Sequence, residues 1–458
     1  MIQVAIMGYG TVGSGVAEVI HTNREGIKRE LKEDMEVKYI LDLRDFPGDP
    51  EEKKIVHDFD IIVNDPEIDI VVETMGGVHP AYEFSKRALE AGKSVCTSNK
   101  ELVASCGAEL LETAKEHNVN YFYEASVGGG IPIIRPLNYA LTAEIIEEIT
   151  GILNGTTNYI LTRMKNEGLD FAEVLKAAQD LGYAEKNPEA DVEGYDACRK
   201  IAILSSLAFC HQVDYKDIYT EGITKITATD IKYANVMGRS IKLLASGRRD
   251  GENVYAMVAP FMIDSQNPLY MVNDVYNGIL VRSNMLGETM YYGKGAGKLP
   301  TASAVVADVI DAARHKGTTA KFLWDKSKLQ VADIKHCKNR FFVRMEGSRE
   351  EVLAKLLAGR KLNGSVPGLE EASAESWNLQ ELDREGWNIE LCLKTQLLGL
   401  RNIYTPFAVL ELRGAEREVP GYADYLVVHQ ERWAEALDAC DQAYNSNLSL
   451  ERGGWVCR

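Results

Sequence analysis

The opening residues constrain the fold of this chain more than any other stretch. Ile2 to Met7 is a short, mostly apolar run that leads straight into Gly8-Tyr9-Gly10-Thr11-Val12-Gly13, which fits the pattern GxGxxG. Val12, Val16 and Ile20 then repeat at helical spacing. A buried strand, a glycine turn and a helix in this order predict a βαβ unit that binds a dinucleotide. The alternative is a tight turn in an unrelated α/β fold.

Each glycine of the turn has a separate task in such a unit. Gly8 permits the tight turn, Gly10 lets the backbone approach a pyrophosphate, and Gly13 lets the helix pack on the strand. The N–H groups that begin the helix, at Thr11 and Val12, face the phosphates together with the positive end of the helix dipole. The turn therefore predicts NAD or NADP as a cofactor.

Strands alternate with helices over residues 1–130, which predicts a doubly wound parallel sheet, a Rossmann domain. The predicted strands are 2–7, 36–43, 69–73, 94–97 and 119–123. The pattern changes after Gly130, and residues 131–320 are predicted as a second, α+β domain. Its predicted elements are strands 145–153, 269–280 and 284–292, helices 154–166 and 196–211, a polar loop 182–193 and a glycine-rich loop 293–300. Its last helix, within 302–316, is predicted to return and pack on the first domain.

The end of the chain predicts a third, small α+β domain over residues 335–458. Residues 340–345, 407–412 and 425–428 are predicted strands, and residues 351–357 are a predicted helix.

Charge and cysteine content exclude several classes of partner. A net charge of -17 and a pI of about 5.1 repel phosphate backbones and anionic membranes, so nucleic acid and membrane surfaces are not expected partners. No apolar run reaches the roughly 18 residues that span a bilayer. The eight cysteines are scattered without a CxxC pair, and no signal peptide is apparent, which together predict reduced thiols in a cytoplasmic protein.

Two charged residues lie at the end of the second predicted strand, where the adenosine ribose would lie. Asp42 favours NAD because an acidic side chain accepts from the ribose hydroxyls, whereas Arg44 favours NADP because it holds a 2′-phosphate. The alternative is that Asp42 and Arg44 only bond each other at the surface. The choice between NAD and NADP stays open at this stage.

Two clusters of charge carry the candidate chemistry. Lys100 follows the strand 94–97, at the edge where a lysine can protonate a developing alkoxide. Asp196 and Lys200 are four residues apart on an otherwise apolar helix, and Asp191 precedes them. Glu185, on the polar loop, and Asp191 would suit the ammonium group of an amino acid. A solvated lysine and an ordinary helix ion pair are the alternatives.

Glu124 precedes three consecutive glycines, Gly128 to Gly130. Their carbonyl oxygens and one carboxylate predict a site for a hard cation. A hinge between the domains is the alternative, and both functions are compatible.

Seven motifs together resemble those of homoserine dehydrogenases, in the family's order and over about residues 1–320. They are GYGTVGSG (8–15), ETMGG (73–77), TSNK (97–100), EASVGGGIP (124–132), GILNGTTNYIL (151–161), GYAEKNPEADVEGYDACRK (182–200) and YYGKGAGKLPTASAVVAD (291–308). The resemblance implies NAD(P)-dependent interconversion of L-homoserine and L-aspartate 4-semialdehyde, in the biosynthesis of threonine, methionine and isoleucine. It also implies a homodimer or homotetramer that pairs through the second, substrate-binding domain.

The resemblance also implies a role for each matching residue. Lys100, Lys200 and Asp196 match the catalytic residues. The implied substrate-binding residues are Glu185, Asp191, Lys100, Gly155 and Thr156. The implied cofactor contacts are Gly8, Gly10, Thr11, Val12, Gly13, Arg44, Thr74, Gly76, Ser98, Lys100, Gly293 and Gly297. A sodium or potassium ion is implied at Glu124, Val127, Gly129 and Ile131, mainly through backbone oxygens.

The sequence departs from the family pattern in two places. Lys186 and Asn187 stand where the family usually has Pro-Asp, which bears on substrate affinity. Residues 340–357 resemble the first strand and helix of an ACT regulatory domain but lack its usual Asp-x-Pro-Gly turn, so the tail is predicted as a degenerate ACT-like domain. Two alternative functions stay open: a catalytically silent NAD(P)-binding regulatory relative, and a dehydrogenase of another small amino-acid aldehyde.

Overall fold

A computed structural model describes residues 1–334 and Cys337, together with four short strands further along the chain. Those strands form two antiparallel pairs, Glu390–Leu393 with Ala408–Glu411 and Leu448–Glu451 with Gly454–Cys457. The predicted strand 407–412 coincides with the second of them. The predictions for 340–345, 351–357 and 425–428, and the ACT-like domain as a whole, fall outside the described residues.

The first domain is built on a parallel six-stranded sheet. Its strands are β1 (Ile2–Met7), β2 (Met35–Leu41), β3 (Ile55–Val56), β4 (Ile70–Glu73), β5 (Ser94–Thr97) and β6 (Tyr121–Phe122). They lie in the order β3-β2-β1-β4-β5-β6, so the order reverses between β1 and β4. In such a sheet the ligand crevice opens at the carboxyl ends of the strands next to this reversal.

Helices cover both faces of this sheet, which explains why its central strands are buried throughout. The helices of this domain are α1 (Thr11–Thr22), α2 (Arg24–Leu31), α3 (Phe59–Val63), α4 (Ala81–Glu90) and α5 (Lys100–Glu116). Every residue of β4 and β5 is buried. Continuous burial is what a parallel strand between two helical layers requires.

The second domain is a mixed six-stranded sheet with helices packed against it. Its helices are α6 (Gly155–Glu167), α7 (Phe171–Asp180), α8 (Glu189–Val192), α9 (Tyr195–Phe209) and α10 (Ala228–Val236). Its strands are β7 (Ile146–Ile152), β9 (Tyr219–Thr220), β10 (Arg239–Asp250), β11 (Asn253–Asp264), β12 (Tyr276–Ser283) and β13 (Gly287–Lys294), in the order β13-β12-β7-β10-β11-β9. The remaining short strand, β8 (His211–Gln212), follows α9.

One helix of the second half of the chain packs on the first domain. This helix, α11 (Lys298–Arg314), contributes Ala302, Val305 and Val309 to the same apolar cluster as Ile6 and Val16. Gly15 makes the approach possible, because a Cβ atom there would lie 2.9 Å from the Cβ of Ala302.

The chain then runs back across both domains. Asn120 of the first domain donates to the carbonyls of His315 and Thr318. Trp324 donates from Nε1 to Gln212 at 2.9 Å, and strand β14 (Asp325–Lys328) pairs with β8. Residues 315–334 therefore tie the Rossmann domain to the carboxyl end of α9.

The predicted fold class is confirmed for both described domains, and the main errors lie in the second one. Residues 269–275 are not a strand, because Pro268 and the Asn267 side chain start a 3-10 turn over Pro268–Met271. The polar loop 182–193 contains the short helix α8. The two longest strands, β10 and β11, were not predicted at all. Six consecutive residues of β10 are buried, so the strand lacks the polar alternation by which a half-exposed strand is identified.

Candidate active site

Two lysines from different domains meet at one buried carboxylate. The Lys100 Nζ atom, on the first turn of α5, lies 2.6 Å from Oδ1 of Asp196. The Lys200 Nζ atom lies 2.7 Å from Oδ2 of Asp196 and donates a second hydrogen bond to the Leu153 carbonyl, also at 2.7 Å. Asp196 is only 4% exposed. The contact between Asp196 and Lys100 therefore joins the two domains at this site.

Burial and charge separate the pKa values of the two lysines. Burial disfavours the charged form of both, but in Lys100 the attraction of Asp196 outweighs it, and the pKa of Lys100 is raised. Burial prevails in Lys200, and the neighbouring Lys100 adds to it, so the pKa of Lys200 is lowered. Asp196 is also penalised by burial, yet the two lysines hold the pKa of its carboxyl well below the usual range. Lys200 is thus the member of this cluster best suited to exchange a proton.

Asp191 lies beside this cluster, and Asn154 joins the two carboxylates. The Asn154 Nδ2 atom donates to Asp191 at 2.7 Å and to Asp196 at 2.9 Å. Its Oδ1 atom accepts from the N–H of Thr157 at 2.9 Å, so the same side chain caps α6. Burial, and then the charge of Asp196, raise the pKa of Asp191. Sequence reasoning missed Asn154, although its place before Gly155-Thr156-Thr157 is a recognisable helix-capping signal.

The other predicted substrate contacts lie around this centre. Gly155 begins α6, and a Cβ atom there would lie 2.9 Å from the Val275 carbonyl oxygen. Thr156 donates from its hydroxyl to the Tyr183 carbonyl at 2.7 Å, which fixes the start of the loop that carries Glu185. Glu185 itself is exposed, and no hydrogen bond or ion pair joins its side chain to the described residues. The structure therefore brings Lys100, Asp191, Asp196 and Lys200 together and leaves Glu185 outside their contacts.

The glycine turn has the geometry that a pyrophosphate requires. Gly8 has a φ of 93°, and nothing lies within 4 Å of where a Cβ atom of Gly10 would be. At Gly13, in contrast, a Cβ atom would lie 1.9 Å from the Gly8 carbonyl oxygen. No side chain caps the N-terminus of α1, so the N–H groups around Thr11 and Val12 face an open position. These features fit a phosphate at the helix N-terminus.

The predicted contacts after β4 and β5 lie on the same edge of the sheet. Thr74 follows β4 and donates from its hydroxyl to the Gly8 carbonyl at 2.8 Å, which ties this loop to the glycine turn. Gly76, with a φ of 83°, is exposed in the same loop. Ser98 follows β5, and its N–H bonds the Glu73 carbonyl at 3.3 Å. Lys100 is two residues further on, so the cofactor crevice leads directly to the lysine pair.

Asp42 and Arg44 bond each other at the ribose end of the crevice. The Arg44 guanidinium donates to both carboxylate oxygens of Asp42 at 3.0 Å and lies 5.0 Å above the ring of Phe46. The N–H of Tyr9 also donates to Asp42, at 2.8 Å. Hydrogen bonds from Arg44, assisted by the Tyr9 amide, lower the pKa of Asp42 to about 2. The Arg44 side chain remains 63% exposed.

The glycine-rich loop of the second domain lies against the Rossmann domain. A Cβ atom on Gly129 would come within 2.6 Å of Gly295, and the N–H of Gly130 bonds the Lys294 carbonyl. Gly293 is near the end of β13. Gly297, with a φ of 118°, directly precedes α11, which begins beside Gly15 of α1. The two predicted cofactor contacts in this loop thus flank a segment packed onto the first domain.

The Glu124 carboxylate is bound by backbone amides. Its two oxygens accept from the N–H groups of Ile133, Ile134 and Arg135 at 2.6 to 2.8 Å. In the described part of the chain, moreover, no group of three or more His, Cys, Asp or Glu side chains is arranged to hold a metal ion. The predicted cation site at Glu124, Val127, Gly129 and Ile131, formed mainly by backbone oxygens, therefore stays a prediction.

Comparison with known proteins agrees with this geometry. The family model described as homoserine dehydrogenase matches residues 132–310, and the model described as its NAD binding domain matches residues 8–124. The chain belongs to the homoserine dehydrogenase family. A homoserine dehydrogenase of Synechocystis is 48% identical over 318 residues, which cover 68% of this chain and 73% of that protein. One of Bacillus subtilis is 42% identical, covering 68% and 72%.

Solved structures of homoserine dehydrogenases have the same fold. That of Thiobacillus denitrificans has a TM-score of 0.74 at 33% identity, and the alignment covers 90% of this chain and 99% of that one. A hyperthermophilic archaeal homoserine dehydrogenase, solved in complex with NADPH, has a TM-score of 0.59 at 29% identity, covering 68% and 98%. The predicted homoserine dehydrogenase is confirmed by these matches, as is an oxidoreductase that uses NAD or NADP. Neither alternative function gains support.

Proposed function

We propose that Lys200 exchanges the proton in the reaction of this homoserine dehydrogenase. Lys100 stabilises the negative charge on the substrate oxygen, and Asp196 holds both lysines in position. The observation that carries the proposal is the single buried carboxylate of Asp196 between two lysine ammonium groups, at 2.6 and 2.7 Å. The opposite shifts of the two lysine pKa values support this division of roles, since only the pKa of Lys200 is moved toward the neutral range.

Each residue has a defined part in the reduction of L-aspartate 4-semialdehyde. NAD(P)H, when bound, supplies the hydride that adds to the aldehyde carbon. The carbonyl oxygen then gains negative charge, which the Lys100 ammonium stabilises, and it takes a proton from Lys200 Nζ to give the hydroxyl of L-homoserine. Neutral Lys200 regains a proton from water. In the oxidation of homoserine, neutral Lys200 accepts the hydroxyl proton.

Asp191 is proposed to bind the α-ammonium group of the substrate. It is partly buried, it is held by Asn154, and its charge is only partly balanced by nearby lysines. Glu185 is proposed as a second contact for the same group, and Gly155 and Thr156 as contacts at the start of α6. The exposed position of Glu185 fits a residue that reaches the substrate from the rim of the site.

The direct test is the oxidation of L-homoserine by the purified protein with NAD+ or NADP+. We expect reduced nicotinamide to form, and Lys200→Ala to lower kcat by about 100-fold or more, within the range for loss of a general acid–base. Lys176→Ala, on the exposed face of α7, is the matched control and should behave like the wild type. Turnover by Lys200→Ala at the wild-type rate would refute the role of Lys200.

We propose NADP as the preferred cofactor, on the strength of Arg44. Each Asp42 oxygen already accepts two N–H groups, which leaves little capacity for a ribose hydroxyl. The Arg44 guanidinium is instead proposed to bind the 2′-phosphate, which is supported by its exposure and its stacking on Phe46. Arg44→Ala should lower the ratio of kcat/KM for NADP+ over NAD+ by about tenfold, whereas Arg29→Ala on α2 should not. An unchanged ratio in Arg44→Ala would contradict this preference.

A monovalent cation, sodium or potassium, is proposed at the turn 124–131. The carbonyl oxygens of Glu124, Val127, Gly129 and Ile131 are the donors that remain, and neutral oxygens suit such an ion. Replacing sodium and potassium by a bulky organic cation at constant ionic strength should lower the activity or the thermal stability. No change in either property would argue against the site.

A homodimer or homotetramer, paired through the second domain, is also proposed. Strand β13 is an edge of the second sheet, and its outward residues include Met290 and Tyr292, which is 55% exposed. An exposed, partly apolar edge strand is a surface that proteins usually cover. Light scattering should give a multiple of the chain mass, and Tyr292→Lys should weaken the assembly. A monomeric wild type would refute this.

A cytoplasmic location is proposed on the basis of the thiols. Cys96, Cys106, Cys198, Cys210 and Cys337 are all free in the described part of the chain, which fits a reducing compartment. None of the described helices combines the length and the apolar character needed to cross a membrane. Recovery of the protein in a membrane or secreted fraction would contradict the proposed location.

A further inference from the structure

Glu73, the last residue of β4, is a fully buried carboxylate that the chemistry above does not use. Its side chain is 0% exposed and forms no ion pair within the described residues. It accepts hydrogen bonds from the Thr97 hydroxyl at 2.6 Å, from the N–H of Met75 at 2.8 Å and, more weakly, from Asn99 at 3.4 Å. A buried charge is costly in free energy. A carboxylate that only neutral donors stabilise is therefore a candidate for a functional role.

The partners of Glu73 come from both loops that border the cofactor crevice. Met75 lies in the loop after β4, Thr97 is the last residue of β5, and Asn99 lies in the loop that follows. Asn99 strengthens the link, since its Nδ2 atom donates to the Gly77 carbonyl at 2.6 Å. The N–H of Asn99 in turn donates to the Thr97 hydroxyl at 2.9 Å. Glu73 thus joins loop 74–77 to loop 97–100 through a closed set of hydrogen bonds.

This set of bonds ends at the lysine that contacts Asp196. Asn99 is the N-cap of α5, with its Oδ1 atom accepting from the N–H of Leu102 at 3.1 Å. Lys100 is the next residue, so a shift of Asn99 moves the Lys100 ammonium relative to Asp196. A misplacement of about 1 Å in a catalytic group costs roughly 100-fold in rate.

We propose that Glu73 is a positioning residue for this reaction: through Thr97 and Asn99 it sets the place of Lys100 relative to the cofactor loop 74–77. The proposal rests on the proposed role of Lys100. A purely structural role for Glu73 is the competing explanation, and it predicts a loss that does not depend on Lys100.

A double-mutant cycle between Glu73→Leu and Lys100→Met separates the two explanations. Homoserine oxidation is followed under single-turnover conditions with enzyme in excess, so that slow variants are measurable. Glu73→Leu should lower the rate by about 10- to 100-fold when Lys100 is present. In the Lys100→Met background it should lower the rate by no more than about twofold, because residues that act through one another are not additive.

Two further variants keep the test decisive. Thr97→Val removes one donor while leaving Glu73 in place; it should show the same dependence on Lys100, and it replaces Glu73→Leu in the cycle if that variant does not fold. Glu90→Leu, at the exposed end of α4, is the control and should match its parent in both backgrounds. An equal loss with and without Lys100 would overturn the proposal. Absence of turnover in wild-type protein that binds nucleotide would instead refute the proposed function, and this role with it.

Discussion

At the scale of single residues, Asn154 performs two tasks that substitutions can separate. Asn154→Ala removes both the N-cap of α6 and the N–H donors to Asp191 and Asp196. We expect the free energy of unfolding to fall by about 1–2 kcal/mol from the lost cap. Because the Asn154 hydrogen bond lowers the pKa of Asp191, its removal raises that pKa, so the KM for homoserine should rise, and most at acidic pH.

Asn154→Ser is the matched variant for this prediction. It keeps an oxygen that can cap α6, but its shorter side chain lacks the amide donor to the two carboxylates. Chemical denaturation should therefore show most of the stability retained, while kinetics at several pH values should show the raised KM. If Asn154→Ser bound homoserine as the wild type does, the donor role assigned to Asn154 would be wrong.

The sequence predicted the charged residues of the candidate site, but it did not predict the residues that hold them in position. Lys100, Asp196 and Lys200 could be proposed because charges on a buried helix and after a buried strand are costly without a task. Asn154 and Glu73 were missed as site residues because their importance depends on contacts between distant segments. The bonds of the Glu124 carboxylate to backbone amides about ten residues further along the chain were also not predicted.

At the scale of secondary-structure elements, a buried lysine joins α6, β10 and the turn before β12. Lys242 is 1% exposed and donates to the Asn158 and Asn273 side chains at 3.1 and 3.0 Å and to the Val272 carbonyl. Burial, with a smaller contribution from Lys165, lowers the pKa of Lys242 to about 7.

This pKa predicts how stability depends on pH. Unfolded Lys242 keeps its proton up to about pH 10.5, whereas folded Lys242 loses it near 7, so between these values the unfolded chain binds more protons. The stability of the wild type relative to Lys242→Met should therefore rise with pH above about 7, by up to 1.4 kcal/mol per pH unit. Urea unfolding of both proteins from about pH 6 to 9 measures this difference. A difference independent of pH would contradict the lowered pKa.

The elements themselves were predictable where a local signal was strong. Ser94–Thr97 was predicted with its observed bounds, and α6 nearly so, because a glycine or an N-cap residue marks their ends. The hairpin of β10 and β11 was not, because its strands are buried by helices α6, α9 and α10 from earlier parts of the chain. Alternation of apolar and polar residues can reveal a strand only when one face is exposed.

At the scale of the whole molecule, Arg135 links the start of the second domain to α11. Its guanidinium bonds Asp308, lies 2.7 Å from Asp311 and is within 3.8 Å of Glu124. Arg135→Met would leave the buried Glu124 and Asp308 carboxylates without their cation. We expect a loss of about 3–5 kcal/mol in the free energy of unfolding, as for other broken buried ion pairs. The double variant Arg135→Met/Asp308→Asn should recover part of this loss, because it removes one of the two unpaired buried charges. If stability did not recover, the unpaired charge would not be the cause of the loss.

The central claim is that Lys200 exchanges the substrate proton with a pKa set by burial and by Asp196. The most direct measurement is the pH dependence of kcat/KM for homoserine oxidation in the wild type and in Asp196→Asn. The rate should rise with pH as Lys200 loses its proton. Because Asp196 raises the pKa of Lys200, its neutralisation should move this rise to lower pH, whatever the change in maximal rate. A rise at the same pH in both proteins would contradict the account.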